Sequence, residues 1–143
     1  MSAIHIEQIR ADLTWRIRHE AMYPNLSIEL VKLENDPEGT HFGLFADDKL
    51  VSVVSVFHWD RIYQFRKFAT ISNAQNLGYG SILLKHLMDY VREMGGTKLW
   101  CNARCSAHSF YQKFGFSKTD QTSKKHGIDF VIMELQLDNS LGT

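Results

Sequence analysis

Residues 75–81 have the sequence Gln75-Asn76-Leu77-Gly78-Tyr79-Gly80-Ser81, and a helical pattern follows them directly. One face of that helix, predicted over 81–94, carries the apolar residues Leu83, Leu87, Tyr90, Val91 and Met94. The two glycines allow positive φ and a close approach of backbone to ligand. The first amides of a helix have no intrahelical acceptor and lie at the positive end of its dipole. The segment therefore predicts an anion site for phosphate or pyrophosphate, with a plain tight turn into a helix as the alternative.

Two common nucleotide motifs are excluded at this position. A dinucleotide fingerprint requires a third glycine three residues after Gly80, where this chain has Leu83. A P-loop requires Gly-Lys-Ser or Gly-Lys-Thr, and the chain contains neither run. The glycine turn therefore belongs to another kind of anion site, if it binds a ligand at all.

The segments on either side of this turn alternate between strand and helix patterns. Strands are predicted over 4–9, 41–46, 50–59, 63–71, 98–103, from 116 onward and over 128–137. Further helices are predicted over 13–23, over 26–33 and from a cap at Ser106, with tight turns at 47–48 and 124–127 and a loop over 35–40. This order predicts an α+β or mixed α/β sheet covered by helices on both faces, in one domain over residues 1–143.

Composition excludes several classes of protein. The chain has 143 residues, 44% of them hydrophobic, which is ordinary for one globular domain and unlike disordered or collagen-like chains. Lys and Arg number 16 and Asp and Glu also 16, so no basic excess predicts a nucleic-acid partner. No apolar run approaches the length of about 18 residues that a membrane span requires. Two cysteines, Cys101 and Cys105, are too few for a disulfide framework or a zinc site, so we expect a cytoplasmic protein without metal.

A second motif lies about thirty residues after the glycine turn. Residues 109–116 have the sequence Ser109-Phe110-Tyr111-Gln112-Lys113-Phe114-Gly115-Phe116. Together the two segments resemble the GNAT superfamily of acetyl-CoA-dependent N-acyltransferases, and specifically a small bacterial-type branch of it. Gln75-x-x-Gly78-x-Gly80 is similar to the pyrophosphate loop of that family, written Q/R-x-x-G-x-G/A. The second segment is similar to its F-Y-x-x-x-G-F helix end, and the resemblance covers Phe65–Phe116 well.

The resemblance implies a fold, a cosubstrate and a set of binding residues. The fold is a single domain with a mixed, mostly antiparallel sheet, helices on both faces and splayed strands at the cofactor site. Acetyl-CoA is implied as acyl donor, with the amides of Asn76–Ser81 holding its pyrophosphate in the loop that Gln75 opens. The backbone of Phe68, Ala69 and Thr70 would pair with the pantetheine arm as an added strand, and an amide near Ala69 or Thr70 would polarise the acyl carbonyl.

The resemblance also implies a catalytic residue. Tyr111 would donate a proton to the leaving thiolate, which is a task that a positioned phenol can perform. The alternative is that Tyr111 is only a core aromatic on the apolar face of its helix. Because the amine attacks the thioester directly, neither Cys101 nor Cys105 needs to react.

The sequence departs from the family at two positions. Many members have an asparagine seven residues before the tyrosine; this chain has Arg104 there and Asn102 two residues earlier. Asn102 is kept as a candidate cofactor residue, and Arg104 is a candidate for a phosphate or acceptor contact or a solvated side chain. Where some members have a glutamate as general base, this chain has Gln64. The remaining candidates are His41, His58, His126 and a water chain, and no base is assigned.

The acceptor site is expected in the first third of the chain, because the cofactor motifs occupy the rest. Its candidate lining consists of Trp15, Arg18, His19 and Tyr23. An arginine there would suit an acceptor that carries a carboxylate. The alternative is a helix packed through its tryptophan with a solvated arginine.

These observations predict an N-acetyltransferase that moves acetyl from acetyl-CoA to a primary amine by direct attack in a ternary complex. The acceptor is a small molecule or a peptide, with no nucleic acid and no membrane involved. One alternative is an acyl-CoA sensor or partner-binding module that keeps the fold without catalysis. A generic nucleotide-phosphate binder, which would accept ATP or NAD equally, is the other. Homodimers are common in the family, and the oligomeric state is left open.

Overall fold

The computed structural model of the chain describes residues 3–137, which form seven strands and three α-helices. The strands are β1 Ile4–Ile9, β2 Thr40–Ala46, β3 Lys49–Trp59, β4 Ile62–Thr70, β5 Lys98–Arg104, β6 Ser117–Lys125 and β7 Ile128–Gln136. The helices are α1 Trp15–Met22, α2 Tyr79–Glu93 and α3 His108–Gln112. Short 3-10 segments cover Ala11–Thr14, Ile28–Val31, Asp36–Glu38, Ser72–Ala74 and Cys105–Ala107.

The seven strands form one sheet in the order β1-β2-β3-β4-β5-β7-β6. Pairs β1–β2, β2–β3, β5–β7 and β6–β7 are antiparallel. Strands β4 and β5 are parallel and pair at Ile62–Lys98, Tyr63–Leu99 and Gln64–Trp100. The predicted fold class is therefore confirmed as a mixed, mostly antiparallel sheet flanked by helices.

The chain groups into two compact units. One contains the chain up to Phe57 together with Phe65–Tyr90, and the other contains His58–Gln64 together with the chain from Val91 onward. The boundary between the two units falls within the residue ranges of β4 and of α2. The assignment of residues 1–143 to one domain stays a prediction.

In the first unit, helices cover both faces of the sheet. Val53 of β3 packs with Ile17 of α1, in a core that the partly buried Ile9, Ala21, Met22, Leu50 and Ile71 extend. The next residue, Val54, points to the opposite face because side chains alternate along a strand. Its partner across the ladder is Phe42, whose ring lies 5.0 Å from Tyr90 of α2. Helices α1 and α2 therefore pack on opposite faces of β2 and β3, as the sequence predicted.

The turn between β2 and β3 confirms the prediction made from its two aspartates. Asp47 and Asp48 have φ of 50° and 67°, the left-handed pair that a two-residue hairpin of matching twist requires. Aspartate tolerates this conformation better than most residues, because its short polar side chain can bond locally. The Asp47 carboxylate also accepts a long-range hydrogen bond from the Ala3 amide, at 2.9 Å.

Strand β4 contains one residue in a left-handed conformation, Lys67, with φ of 55°. Its neighbours show the effect. The rings of Phe65 and Phe68 are 6.0 Å apart, although residues three apart lie on opposite faces of a regular strand. Arg66 and Ala69, also three residues apart, likewise share the face that α1 covers. Arg66 is close to the charges of Arg18 and Asp36, and Ala69 packs with Ile17. Lys67 is thus the extra residue of a β-bulge, which the sequence did not reveal.

Two predicted helices differ from the structure. The segment 26–33 forms only a single 3-10 turn, because Leu26, Ile28 and Leu30 are exposed and only Val31 is buried. No continuous apolar face therefore holds a longer helix against the sheet. The helix predicted to start from a cap at Ser106 begins instead at His108, with Ala107 at the cap position and no side-chain cap bond. The residues before it, Cys105–Ala107, are in a 3-10 turn.

Residues 3–137 contain neither a membrane-spanning helix nor a cluster of metal-binding side chains. None of the helices in this range is long and apolar enough to cross a bilayer. Within the same range, no three or more His, Cys, Asp or Glu side chains are grouped so that they could hold a metal ion.

Candidate active site

The loop before α2 has the geometry of an anion cradle. Asn76 and Gly78 adopt φ of 64° and 86°, and α2 begins at Tyr79. The first amide to find a backbone acceptor is that of Ile82, which donates to the Gly78 carbonyl at 3.2 Å. Over the described chain, the six amides of residues 76–81 have no acceptor. They lie at the positive end of a 15-residue helix, which favours an anionic ligand.

Glycine at position 78 keeps this cradle open. A Cβ placed on Gly78 would have no atom within 4 Å, so no part of the fold fills the space beside its backbone. Its φ lies in the left-handed region that disfavours other residues. Both features fit the pyrophosphate of a coenzyme, which requires free amides and a close backbone approach.

Side-chain hydrogen bonds connect the loop to the end of β4. Gln75 donates its amide Nε2 to the Thr70 carbonyl at 2.9 Å. Buried Ser52 of β3 donates to the Ala69 carbonyl at 3.1 Å, and the hydroxyls of Ser52 and Thr70 are 2.8 Å apart. Since the Ser52 proton is given to Ala69, the Thr70 hydroxyl donates to Ser52. The predicted pantetheine strand and the predicted pyrophosphate loop are therefore held together by hydrogen bonds within one unit.

In the second unit, Tyr111 is a buried phenol on α3. Its ring contacts Phe110 and Phe116 edge-on, with centroids 5.2 Å and 5.8 Å away. Burial, and next the nearby Cys101, raise the pKa of Tyr111 far above its ordinary value. The phenol therefore stays protonated through the physiological range and can donate its proton. This state suits the predicted role, although the burial fits a core aromatic as well.

The β5 residues near Tyr111 divide between two faces. Cys101 and Ala103 are buried, whereas Asn102 between them is exposed and points the other way. Burial raises the pKa of the Cys101 thiol to about 12, so it is not a nucleophile at neutral pH. Tyr111 lies near enough to Cys101 for the thiol to raise its pKa, and Asn102 points to the other face of β5 from Cys101. The cofactor role of Asn102 stays a prediction.

A buried polar network occupies the place where the acceptor site was expected. Arg18 is fully buried and binds both oxygens of Asp36, each at 2.9 Å. It also donates to the Val31 carbonyl and to the Ser55 hydroxyl, both at 2.8 Å. The prediction that Arg18 is available to an acceptor carboxylate is therefore wrong, because Asp36 already satisfies that charge. Trp15 belongs to the same network, since its indole N–H donates to Asp36 at 3.2 Å.

The network also removes His41 from the candidates for a general base. Ser55 receives an N–H from Arg18, so its own proton points to Nδ1 of His41, 2.7 Å away. Nε2 of His41 then donates to the Asp36 carbonyl at 2.9 Å. Both ring nitrogens of His41 are thus used in hydrogen bonds of the buried core.

Comparison with known proteins decides the family. The model of the acetyltransferase (GNAT) domain matches residues 16–137. The N-acetyltransferase YitI of Bacillus subtilis, an uncharacterised enzyme, is 31% identical over 134 residues, covering 87% of this chain and 90% of the relative. This chain belongs to the GNAT acetyltransferase family.

Solved structures agree on the fold of this GNAT chain. A provisionally named N-acetyltransferase from Lactobacillus plantarum has a TM-score of 0.85 at 19% identity, covering 94% of this chain and 99% of that one. A GNAT acetyltransferase from Elizabethkingia anophelis, solved with acetyl-CoA bound, has a TM-score of 0.76 at 21% identity, covering 94% and 98%. The family predicted from the two motifs is confirmed, and with it the class, an acyltransferase.

Two residues of this GNAT chain were not singled out by the sequence. His108 stands one turn before Tyr111, and its Nε2 is buried with no partner within residues 3–137. Arg66 of β4 is half-buried and has no hydrogen bond or ion pair with any described residue. Neither belongs to a family motif, and the pairing of a cation is decided by residues distant in sequence. Only the folded arrangement separates Arg66, which has no such partner, from Arg18, which binds both carboxylate oxygens of Asp36.

The second unit also contains an open groove of about 430 Å³ beside the end of β5. Its lining consists of Cys105, Thr122, Ser123, Lys124, Asp129 and Phe130. The charges of Lys124 and Asp129 are 3.6 Å apart and well exposed, so they contribute little to stability. The groove is large enough for a small polar molecule, and the thiol of Cys105 lies at its edge.

Proposed function

We propose that this GNAT enzyme transfers acetyl from acetyl-CoA to a primary amine by direct attack in a ternary complex. The observation that carries the proposal is the row of six unpartnered amides at the start of α2, beside an open Gly78. The family match supports the same function. ATP and NAD are disfavoured as ligands, because the loop lacks both of their motifs.

Each binding residue has a task in this proposal. The amides of Asn76–Ser81 hold the pyrophosphate, and Gln75 positions them through its bond to Thr70. The backbone of Phe68–Thr70 pairs with the pantetheine arm. An amide of Ala69 or Thr70 donates to the acyl oxygen as negative charge develops there. The hydrogen bonds of Ser52 with the Ala69 carbonyl and the Thr70 hydroxyl hold this strand end and support that geometry.

Tyr111 acts as the general acid. The amine nitrogen attacks the thioester carbonyl carbon, the C–N bond forms, and the C–S bond breaks. The sulfur takes the phenolic proton, and the phenol regains a proton from solvent. The raised pKa of Tyr111 keeps that proton in place until it is needed. The amine loses its own proton to water or bulk base, because His41 is committed to the core.

No covalent acyl-enzyme is part of the proposal. Cys101 stays a neutral thiol because burial raises its pKa to about 12. Direct attack therefore needs only positioning and a proton donor. The cytoplasmic location, the oligomeric state and the choice between a small molecule and a peptide acceptor stay predictions.

The first experiment measures the thermal midpoint with and without acetyl-CoA, with ATP and NAD as controls. A ligand that binds only the folded state at about a hundred times its Kd stabilises it by about 2.7 kcal/mol, a shift of several degrees. A shift with acetyl-CoA alone supports the proposal, and an equal shift with ATP contradicts it. Thiol release across a panel of amines then separates the enzyme from a non-catalytic acyl-CoA sensor.

A further inference from the structure

Arg66 is a half-buried cation, and the carboxylate that acts on its charge, Asp36, is already bound to Arg18. No hydrogen bond or ion pair connects it to any of residues 3–137. Its guanidinium has five N–H donors and no acceptor. Burial, and then the charge of Arg18, lower its pKa, so the folded protein holds this charge at a cost. A cation kept in such a place without a structural partner points to a ligand.

The neighbouring carboxylate is already saturated. Asp36 lies near enough to interact with Arg66, but its oxygens accept two bonds from Arg18, one from Trp15 and one from the Leu33 amide at 3.1 Å. The cluster therefore contains two cations, Arg18 and Arg66, and one anion, Asp36. Arg18 and Arg66 together carry one positive charge more than Asp36 neutralises.

A second N–H group in this cluster, that of Arg18 Nε, also lacks a hydrogen-bond acceptor among the described residues. Nε of Arg18 is buried, in a side chain with 0% exposure, and no described residue accepts from it. A buried N–H without an acceptor is rare in folded proteins and costs free energy. Both arginines thus have donors to spare, and the group that would complete the cluster is an oxyanion.

We infer that Arg66 binds an oxyanion carried by the amine acceptor, either a carboxylate or a phosphate. The arginine fork matches both groups through paired N–H donors. Arg66 stands three residues before Ala69, about 10 Å along β4, which is within reach of one small amine and the arginine side chain. The inference rests on the proposed function, because the amine must reach the acyl group near Phe68–Thr70. The acceptor is thereby assigned to the anionic amines, such as amino acids.

The test uses pairs of amines that differ only in the anionic group. Phenylalanine with phenethylamine and tryptophan with tryptamine test the carboxylate, and phosphoethanolamine with ethanolamine tests the phosphate. Acetyl-CoA-dependent thiol release is measured for the wild type, Arg66→Gln, Arg66→Lys and a control, Arg16→Gln. Arg16 suits this purpose because it is 62% exposed and paired with Glu20 at the surface.

The wild type should prefer the anionic member of at least one pair by about 10-fold or more in kcat/KM. Arg66→Gln should abolish that preference by slowing the reaction of the anionic amine, and Arg66→Lys should retain part of it. Arg16→Gln should behave as the wild type. Which pair shows the preference identifies the oxyanion as carboxylate or phosphate.

Failure of this inference differs from failure of the proposed function. If acetyl-CoA does not shift the wild-type midpoint, the proposed function fails. If it does, and neutral amines react as fast as anionic ones or Arg66→Gln keeps the preference, only the inference is overturned. Loss of the acetyl-CoA shift in folded Arg66→Gln would assign Arg66 to the cosubstrate and also overturn it. If no amine reacts, the thermal midpoint in the presence of CoA is measured instead. A rise with the anionic amines that occurs in the wild type and is lost in Arg66→Gln supports the inference. A wild-type midpoint that these amines do not raise contradicts it.

Discussion

The side-chain amide of Gln75 donates to the backbone carbonyl of Thr70 at 2.9 Å, joining the last residue of β4 to the first residue of the anion-binding loop. Gln75 is exposed, so burial does not explain its presence. Its bond sets where the free amides of the loop stand relative to the strand end. In the proposed function it is therefore a positioning residue for acetyl-CoA.

Replacing Gln75 should weaken acetyl-CoA binding without unfolding the protein. A hydrogen bond of this kind contributes about 0.5–1.5 kcal/mol, so Gln75→Ala should raise the KM for acetyl-CoA by about 2–12-fold with kcat nearly unchanged. Gln8→Ala provides the control, since Gln8 is an exposed glutamine of β1. Initial-rate kinetics at varied acetyl-CoA give the answer, and a fall in kcat with an unaltered KM would contradict the positioning role.

The glycines at the two ends of α2 offer a matched pair for testing the cradle. Gly78 and Gly95 have φ of 86° and 83°, and a Cβ on either would have no atom within 4 Å. Alanine at each site should therefore cost about 1–2 kcal/mol of backbone strain. Only Gly78→Ala should also lose the rise in thermal midpoint with acetyl-CoA. Equal rises in the two variants would mean that the turn before α2 does not hold the coenzyme.

Tyr111→Phe separates a general acid from a core aromatic. The ring and its contacts with Phe110 and Phe116 remain, so the fold and the acetyl-CoA shift should persist. Removing the proton donor should lower kcat by about 100-fold. Tyr90→Phe, on α2 with its ring against Phe42, is the control and should retain full turnover. Undiminished turnover in Tyr111→Phe would leave Tyr111 with a packing role alone.

The pair of Arg18 and Asp36 predicts a dependence of stability on pH. Burial alone would raise the pKa of Asp36, but hydrogen bonds from Arg18, Leu33 and Trp15 outweigh it and lower that pKa below its ordinary 3.8. A depressed carboxyl pKa stabilises the fold above the unfolded value and ceases to do so as pH falls below it. Asp36→Asn should therefore cost about 3–5 kcal/mol at pH 7, and the difference from wild type should shrink as pH falls below about 4.

Urea unfolding between pH 7 and pH 3 measures this difference. Asp48→Asn is the control, because Asp48 is exposed in the β2–β3 turn and asparagine accepts its left-handed backbone. That variant should stay within about 0.5 kcal/mol of wild type at every pH. A constant gap between wild type and Asp36→Asn across the range would show that Arg18 does not hold the carboxylate ionised.

Features with local causes could be predicted from the sequence. The stripe of Leu83, Leu87 and Val91 repeats at helical spacing, and all three are fully buried. The Asp47-Asp48 turn and the glycine loop were evident for the same reason, since each depends on the conformational range of its own residues. The apolar pattern continues to Met94, but the helix ends at Glu93 and Met94 is exposed.

Features that depend on distant residues could not be predicted. Arg18 and Arg66 look alike in the sequence, and only Asp36, 18 residues after the first, distinguishes them. The apolar residues of 26–33 suggested a helix, but no facing surface covers Leu26 or Leu30. The general base was left unassigned, and the hydrogen bonds that commit His41 to the core could not be foreseen because they come from other segments.

The bulge at Lys67 divides β4 into two parts of opposite phase. Even-numbered and odd-numbered side chains exchange faces of the sheet at Lys67. As a result, Ala69 lies on the same face as Arg66. Exchanging the residue at 67 preserves this arrangement, and glycine would adopt the backbone with least strain. Deleting it would instead turn Phe68, Ala69 and Thr70 over together. The orientation of the strand residues that are expected to pair with the coenzyme therefore depends on the presence of a residue at position 67. It depends far less on which residue stands there.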